Sequence, residues 1–500
     1  MQQIAKGGFL SRKDIGLHKS SWSKEIIGGT QTFFTMAYIL IVQPQILSMA
    51  GMPTEIVFAS TAFFSFLATF CMGVYGRFPF ALSTGMGSNI IFATSVAAGV
   101  FTWQEGMGIV FYAGVLFLIT SFPLGKKGGS LRGVITDNIP VGLKFGFAAV
   151  IGLFLADLGF GNAGLVQIVD NTKSASSIKD PLVAFIWVVL IVTAFLLFGF
   201  HVVKNKKNGN QIYKWVAPGA VLIGMLAITL VFAFTGHISV GENFSFFTVP
   251  ANPFAFFPKL IGNSDFWLSI TRPGNWTYII IFYLSDLLST TSTSIGCSAR
   301  AGFMDENGKV EGIERIFVVD SAFTAIAGVF GLTGQDIYVE SAAGVEAGAR
   351  TGWAAVTTSA WFFLSLFFAP VFLLVPTQAS GMALILVGIS MMFCLKDIKY
   401  DSPEDAVPVL LMIITTAYTG DFAIAMCIGL IASPLWQLFT YIVYPLVCGI
   451  KKGKEEPESD VSVEEPLPVS RFSKEIHKKM LPAIPNVAMG LLCLVNLLVA

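Results

Sequence analysis

Charge is what this chain lacks. Only 12% of its 500 residues are Asp, Glu, Lys or Arg, about half the density of an ordinary soluble domain. Such a chain cannot clothe a globule of its size in solvated side chains. Histidine is scarce too. His18, His201, His237 and His477 all fall outside the apolar runs or at their ends, so no buried imidazole set is on offer for a metal or for general-base chemistry. The cysteines Cys71, Cys297, Cys394, Cys427, Cys448 and Cys493 lie in or beside apolar segments and form no CxxC pair, which argues against a disulfide framework or a zinc site. The stretch KGGFLSRKDIGLHKSSWSKE near the start is polar and basic, without the short apolar core and cleavage site of a secretory leader. No cofactor, no metal and no nucleic-acid partner is expected.

What the chain has is lipid-soluble length. It is 54% hydrophobic, and apolar runs near twenty residues recur along it, the mark of a polytopic helical membrane protein. Lys and Arg punctuate these runs. Two spans fit in each of 25–76, 78–125, 316–349, 351–395 and 400–450, and one in each of 133–172, 180–203, 215–258 and 273–299, fourteen in all. With the N-terminus in the cytoplasm of a cell-membrane protein, the inner segments collect Lys6, Arg12, Lys13, Lys19, Lys24, Lys126, Lys127, Arg132, Lys204, Lys206, Lys207, Lys214, Lys451, Lys452 and Lys454. The outer ones collect only Lys173, Lys179, Lys259 and Arg272. That bias supports this orientation. The domain plan is then a cytoplasmic segment 1–24, a first seven-span unit 25–237, an outer interfacial loop 238–272 and a second seven-span unit 273–450. A charged cytoplasmic linker 451–479 follows, and then an apolar segment 480–500 that lies on the membrane or makes an extra span.

One window is too short. Thirty-four residues, 316–349, must hold two crossings where two full helices need about forty residues. One crossing is therefore broken into an extended piece and a half-helix. GLTGQDIYVES (331–341) supplies strand formers at Ile337, Tyr338 and Val339, with a helix start at Ser341. GRFPFALSTGMGSNIIFATS (76–95) has the same design, with its helix start at Ser83 to Asn89. These are the third and tenth crossings, corresponding members of two seven-span units. An odd repeat length inserts the second copy upside down, and paired Gly-interrupted spans in inverted halves point to a transporter binding site. Backbone of this kind is tolerated at the midplane only where it lines a cavity, which places Gly85, Gly87, Ser88, Asn89, Ser341 and Ala342 at the substrate.

The few intramembrane charges carry two readings each. Glu340, at the second strand-to-helix junction, is either a buried first-turn acid or a substrate acceptor and proton carrier; a midplane carboxylate is functional by default. Glu346 and Arg350 read as an i,i+4 pair. Asp286, followed by the hydroxyl run Ser289 to Ser294 in IIIFYLSDLLSTTSTSIGCSAR, suggests a polar cavity wall, against the reading that the hydroxyls satisfy backbone carbonyls. Asp320 belongs to the proton path or orients its neighbour. Asp336, Asp157 and Asp421 read as solvated near outer ends.

Several stretches resemble the AzgA-like purine permeases, a branch of the nucleobase–cation and nucleobase–ascorbate transporter superfamily. They are TFFTMAYILIVQPQILSMAGMP (32–53), PFALSTGMGSN (79–89), the segment around Asp286 to Gly296, AGFMDENGK (301–309), YVESAAGVEAGARTG (338–352) and PTQASGMALILVGISMM (376–392). The resemblance implies fourteen helices in two inverted seven-helix repeats forming a core and a gate, often dimeric. It also implies proton-coupled uptake of adenine, guanine or hypoxanthine, with Glu340 against the nucleobase. The eighth span departs from the family pattern D-L-F-D-T-T-G-T: Asp286 keeps the first acid and Ser289 stands at the second. The pattern T-S-T-V-T-T before the Tyr is replaced by Gly334-Gln335-Asp336-Ile337 at its end. The mechanism expected is alternating access. A planar heterocycle is accepted by Glu340 and by Ser289 or Asp286, its carbonyls face backbone N–H groups near Ser83–Asn89 and Ser341–Ala343, and one of Asp286, Asp320 or Glu340 carries the proton. The alternatives are a different small solute or anion on the same scaffold, and a polytopic membrane enzyme, for which no nucleophile–base or metal set is present.

Overall fold

In lipid the backbone has to satisfy its own hydrogen bonds, which favours helices over every other segment. The computed structural model describes residues 20–124, 129–130, 132, 141–169, 172–177, 179–198, 219–238, 245–304, 310–398, 400, 403–419 and 422–439. In chain order the principal elements are α1 (Trp22–Met36), α2 (Ile39–Ser48), α3 (Thr54–Cys71), strand β1 (Leu82–Thr84), α4 (Met86–Ala97), α5 (Trp103–Ser121), α6 (Val141–Asn162), α7 (Pro181–Phe198) and α8 (Ala220–Phe234). They are followed by α9 (Asn275–Ala301), α10 (Ile313–Val329), strand β2 (Gln335–Ile337), α11 (Ser341–Glu346), α12 (Gly352–Ser365), α13 (Thr377–Met392), α14 (Pro403–Thr419) and α15 (Phe422–Leu438). Among the described residues seven helical segments are long and apolar enough to cross a membrane, the α1–α2 pair counting as one, and α4, α8, α13 and parts of α14 and α15 are apolar but shorter. Asp421, the linker 451–479 and the apolar segment 480–500 lie outside the described residues.

The helices pack in two groups. In one, α1 to α5 lie against α9 to α12; in the other, α6, α7 and α8 lie against α13 to α15. Small residues set the approach, because in lipid helix association depends on close backbone contact. In the first group Gly352 rests directly on the Gly73 carbonyl, and in the second Gly388 rests on the Gly152 carbonyl. Any Cβ at Gly352 or Gly388 would collide with backbone. The segment between α8 and α9 carries the exposed apolar side chains Phe246, Phe247, Phe254, Phe257 and Trp267. It is pinned to the bundle by Arg272, which pairs with Glu105 of α5 at 2.5 Å and with Asp265 at 3.0 Å.

Candidate substrate site at the crossing of two broken spans

The two extended pieces meet. β1 and β2 pair antiparallel with Leu82 opposite Ile337, Ser83 opposite Asp336 and Thr84 opposite Gln335. The ladder continues at both ends, through Tyr338 N–H to the Ala81 carbonyl (3.1 Å) and Gly85 N–H to the Gly334 carbonyl (2.7 Å). Each strand is also held by the helix before it, in the same way. Thr69 Oγ1 of α3 accepts from Leu82 N–H at 3.1 Å and donates to its carbonyl at 2.9 Å. Thr324 Oγ1 of α10 does the same for Gln335, at 2.9 and 3.4 Å. Leu82 and Gln335 are the first residues of their strands, so the two arrangements are related by a local two-fold axis through the ladder.

Strand β2 lies two residues earlier than the run Ile337–Val339 suggests, because the Tyr338 carbonyl already accepts from Ser341 N–H and opens the first helical turn. In the segment of β1, Ser83 and Thr84 are extended and the helix opens only at Met86. The N–H groups expected to face a ligand at the second junction are occupied: those of Ser341, Ala342 and Ala343 bond to the carbonyls of Tyr338 (3.0 Å), Val339 (3.0 Å) and Glu340 (2.9 Å). The Ser341 hydroxyl accepts from Ala81 N–H at 3.0 Å, so it ties helix to strand. Ala342 is buried. Gly87 packs on Ser285 and Ile151. Asn89 is buried, with its Oδ1 accepting from the Thr333 hydroxyl.

The acids form the centre. Asp286 of α9 is buried, accepts from Ser88 Oγ at 2.7 Å, and fills the space where Gly334 lacks a side chain. Asp336 is not solvated as its place near an outer end suggested. It is 7% exposed, because the ladder turns it inward, where it fills the space beside Gly85 and meets the hydroxyl of Thr290 at 3.4 Å. Asp320 of α10 is fully buried beside Thr290, yet neither of its oxygens accepts a well-formed hydrogen bond. The counter-charge is Arg132, which the charge count assigned to a cytoplasmic loop. Its guanidinium is instead buried, donates to Thr291 Oγ1 at 2.9 Å and the Leu287 carbonyl at 3.3 Å, and lies over Phe317 (3.3 Å) and Phe117 (4.5 Å). Asp320, Asp286 and Asp336 are all within its electrostatic reach.

Glu340 stands apart from this cluster. Its carboxylate accepts from the Tyr38 hydroxyl at 2.8 Å, across the break between α1 and α2, and it stays partly exposed beside the exposed Val339. On α9, Ser289, Ser292, Thr293 and Gly296 form a partly exposed stripe at helical spacing, ending in open space at Gly296. Three members of the hydroxyl run do satisfy backbone: Thr291 donates to Leu287 and Ser294 to Thr290, both at 2.5 Å, and Ser292 donates to Ser289 at 3.0 Å. The i,i+4 account of Glu346 and Arg350 required one helix, but α11 ends at Glu346. Arg350 instead donates to the carbonyls of Val345 (2.5 Å) and Ala349 (2.6 Å), and Glu346 faces Arg300 at 3.8 Å. Asp157 is half-exposed and pairs with Lys173 at 2.6 Å. Among the described residues no cluster of His, Cys, Asp and Glu has the makings of a metal site.

Tyr38 and Arg132 were missed as site residues. A phenol in mid-span whose polar tip needs a partner is a readable signal; an arginine beside a basic loop is not. Residues 23–420 match the Permease family model Xan_ur_permease. The chain belongs to that family. This permease is 32% identical over 430 residues to the guanine/hypoxanthine permease PbuO of Bacillus subtilis, covering 83% of this chain and 92% of that one. It is 30% identical over 441 residues to the adenine permease AdeQ of Escherichia coli, covering 87% and 92%. A putative permease of Methanocaldococcus jannaschii is 33% identical over 417 residues, covering 83% and 89%. The resemblance to AzgA-like purine permeases is upheld: the chain is a multi-pass membrane permease and not an enzyme. In fold it is similar to the transmembrane domain of the cyanobacterial bicarbonate transporter BicA (TM-score 0.54, 13% identity, 83% of this chain and 98% of that one). It is also similar to murine Slc26a9 (TM-score 0.52, 10% identity, 92% and 74%).

Proposed function

We propose that this permease takes up a purine nucleobase (adenine, guanine or hypoxanthine) together with a proton, by alternating access across the cell membrane, with its N-terminus in the cytoplasm. On this reading the chain makes fourteen crossings in two inverted seven-span units, 25–237 and 273–450. The matched threonine clamps on the two strands support the inversion. The purine lies between Glu340 and the α9 stripe. Glu340 accepts an N–H at one edge of the ring and the Ser289 region accepts at the other. The observation that carries the reading is the position of Glu340: a carboxylate held by one buried phenol and left partly open beside Val339, whose carbonyl meets the Cys297 thiol of α9, in a chain whose relatives are named for purines. Tyr38 fixes the carboxylate before the ligand arrives, so less freedom is lost on binding. Asp286, Asp320 and Asp336 share one buried cation, Arg132, and a proton entering that group reduces the charge that must move through the low-dielectric centre. The proposed proton path runs through this cluster.

The test is uptake of labelled adenine, guanine, hypoxanthine and uracil by cells lacking their own permeases, with and without a protonophore. Accumulation of at least one purine that collapses with the protonophore is the expected result. Absence of purine uptake by protein present in the membrane would overturn the substrate class. Purine uptake that ignores the protonophore would overturn the coupling.

A further inference from the structure

The two groups of helices meet along a seam, and near one end of it a single amide ties them together. We propose that Gln45 is a latch between the groups: it holds them shut at this end, and its bonds break each time the transporter opens there. This rests on the alternating-access reading above and adds to it a contact that has to yield.

Gln45 lies on α2 in the first group, and its partners are at the start of α13 in the second. Its Nε2 donates to the Val375 carbonyl at 3.0 Å, and its Oε1 accepts from the Ser380 hydroxyl. Both ends of one amide are therefore used across the seam. Val375 and Ser380 are buried and Gln45 is half-buried. The Val375 carbonyl stands just outside α13, where Pro376 takes over: the N–H groups of Ala379 and Ser380 bond to the Pro376 carbonyl, at 3.0 and 3.3 Å.

The surrounding contacts show which end this is. Phe58 of α3 meets Phe372 with ring centroids 5.7 Å apart, Ser60 donates to the Pro253 carbonyl at 2.9 Å, and Phe63 meets Phe254 at 5.1 Å. The start of α3, the approach to α13 and the segment leading into α9 thus share one end of the molecule. The polar stripe of α9, from Ser289 to Gly296, runs towards the opposite end. Gln45 is seven residues beyond Tyr38, the partner of Glu340, or about 10 Å along a helix. A link there shuts one end of the proposed site and leaves the stripe leading to the other.

Release is cheap by construction. A serine hydroxyl has one proton, and Ser380 Oγ also lies 2.9 Å from the Thr377 carbonyl of its own first turn. When Gln45 withdraws, that proton turns to Thr377 and no buried donor is stranded. The half-buried amide of Gln45 passes to water. Two neutral hydrogen bonds with such substitutes suit a contact made and broken in every cycle.

Two measurements test the latch. In membrane vesicles, the Q45C/S380C protein is joined by a short reducible bis-thiosulfonate, with S380C alone as the control for the native cysteines. Purine uptake should fall in proportion to the fraction crosslinked and return on reduction. Crosslinked protein that transports at the untreated rate overturns the proposal, because the groups then turn about this contact without parting. In the purified protein, maleimide labelling of Val375→Cys is read at that residue by mass spectrometry, with and without Gln45→Leu. Loss of the latch should raise the labelling rate roughly fivefold or more, the smallest shift expected for two neutral hydrogen bonds. A rate within about twofold of Val375→Cys alone, less than one such bond is worth, overturns it as well. Wild-type vesicles that take up no purine refute the proposed function instead, and the labelling rate, which needs no substrate, still decides the latch.

Discussion

Replacing Tyr38 by Phe removes one oxygen from a buried ring and should disable the transporter while leaving it folded. The ring is 2% exposed and its hydroxyl donates to Glu340 at 2.8 Å. Phenylalanine keeps the packing, including the neighbouring Tyr338 ring at 6.5 Å. What is lost is a hydrogen bond to a charged acceptor, worth about 1.5–3 kcal/mol. If that bond holds Glu340 in its binding rotamer, the same energy is withdrawn from substrate binding, a fall of roughly ten- to 150-fold in uptake at limiting substrate. The control is Tyr338→Phe, whose hydroxyl donates to the Thr84 carbonyl at 2.7 Å. It is a neutral bond within the ladder worth about 0.5–1.5 kcal/mol, and its loss should appear as stability before it appears as affinity. The assay is initial-rate uptake over a range of purine concentrations, with membrane protein quantified for each variant. Tyr38→Phe uptake within about twofold of wild type, in protein whose Glu340→Gln variant is inactive, would refute the idea that the phenol positions the acid.

Two further outcomes follow from the packing. Arg132→Met leaves three buried carboxylates without their cation, a change of the kind that costs about 3–5 kcal/mol. The denaturation midpoint should fall accordingly and recover in part when Asp320→Asn is added, whereas additive losses would contradict the pairing. Gly352→Ala drives a Cβ into the Gly73 carbonyl and should cost about 1–3 kcal/mol. Gly296→Ala, in open space on α9, should be neutral or stabilising by up to about 1 kcal/mol; urea or thermal denaturation in detergent compares the two.

The paired breaks were legible because they follow from length and local chemistry. Too few residues for two helices in 316–349, with glycine beside strand formers at 331–341, leave few other conformations there, and the Pro- and Gly-containing stretch 76–89 repeats that local chemistry. Glu340 was legible for a related reason, since an acid at such a junction has no solvent to retreat to. The partners were not. Whether Asp336 meets water or a neighbouring helix depends on which way a three-residue strand turns it, and that is set by its pairing with β1 some 250 residues away in sequence. Arg132 sits next to a basic loop, and its burial depends on Phe117, Phe317 and three aspartates contributed by other segments. The Glu346–Arg350 pair failed on a point of local structure: Gly348, at φ 109°, takes the chain out of the helix before residue 350 is reached.

The most direct test of the central claim is equilibrium binding of a labelled purine to the purified protein, comparing wild type with Glu340→Gln and Glu346→Gln. The account predicts saturable binding by wild type and by Glu346→Gln, and binding weakened by Glu340→Gln at least about tenfold, as expected for loss of a charged acceptor. Equal weakening by both substitutions, or none by Glu340→Gln, would contradict the placement of the purine at the crossing of the two broken spans.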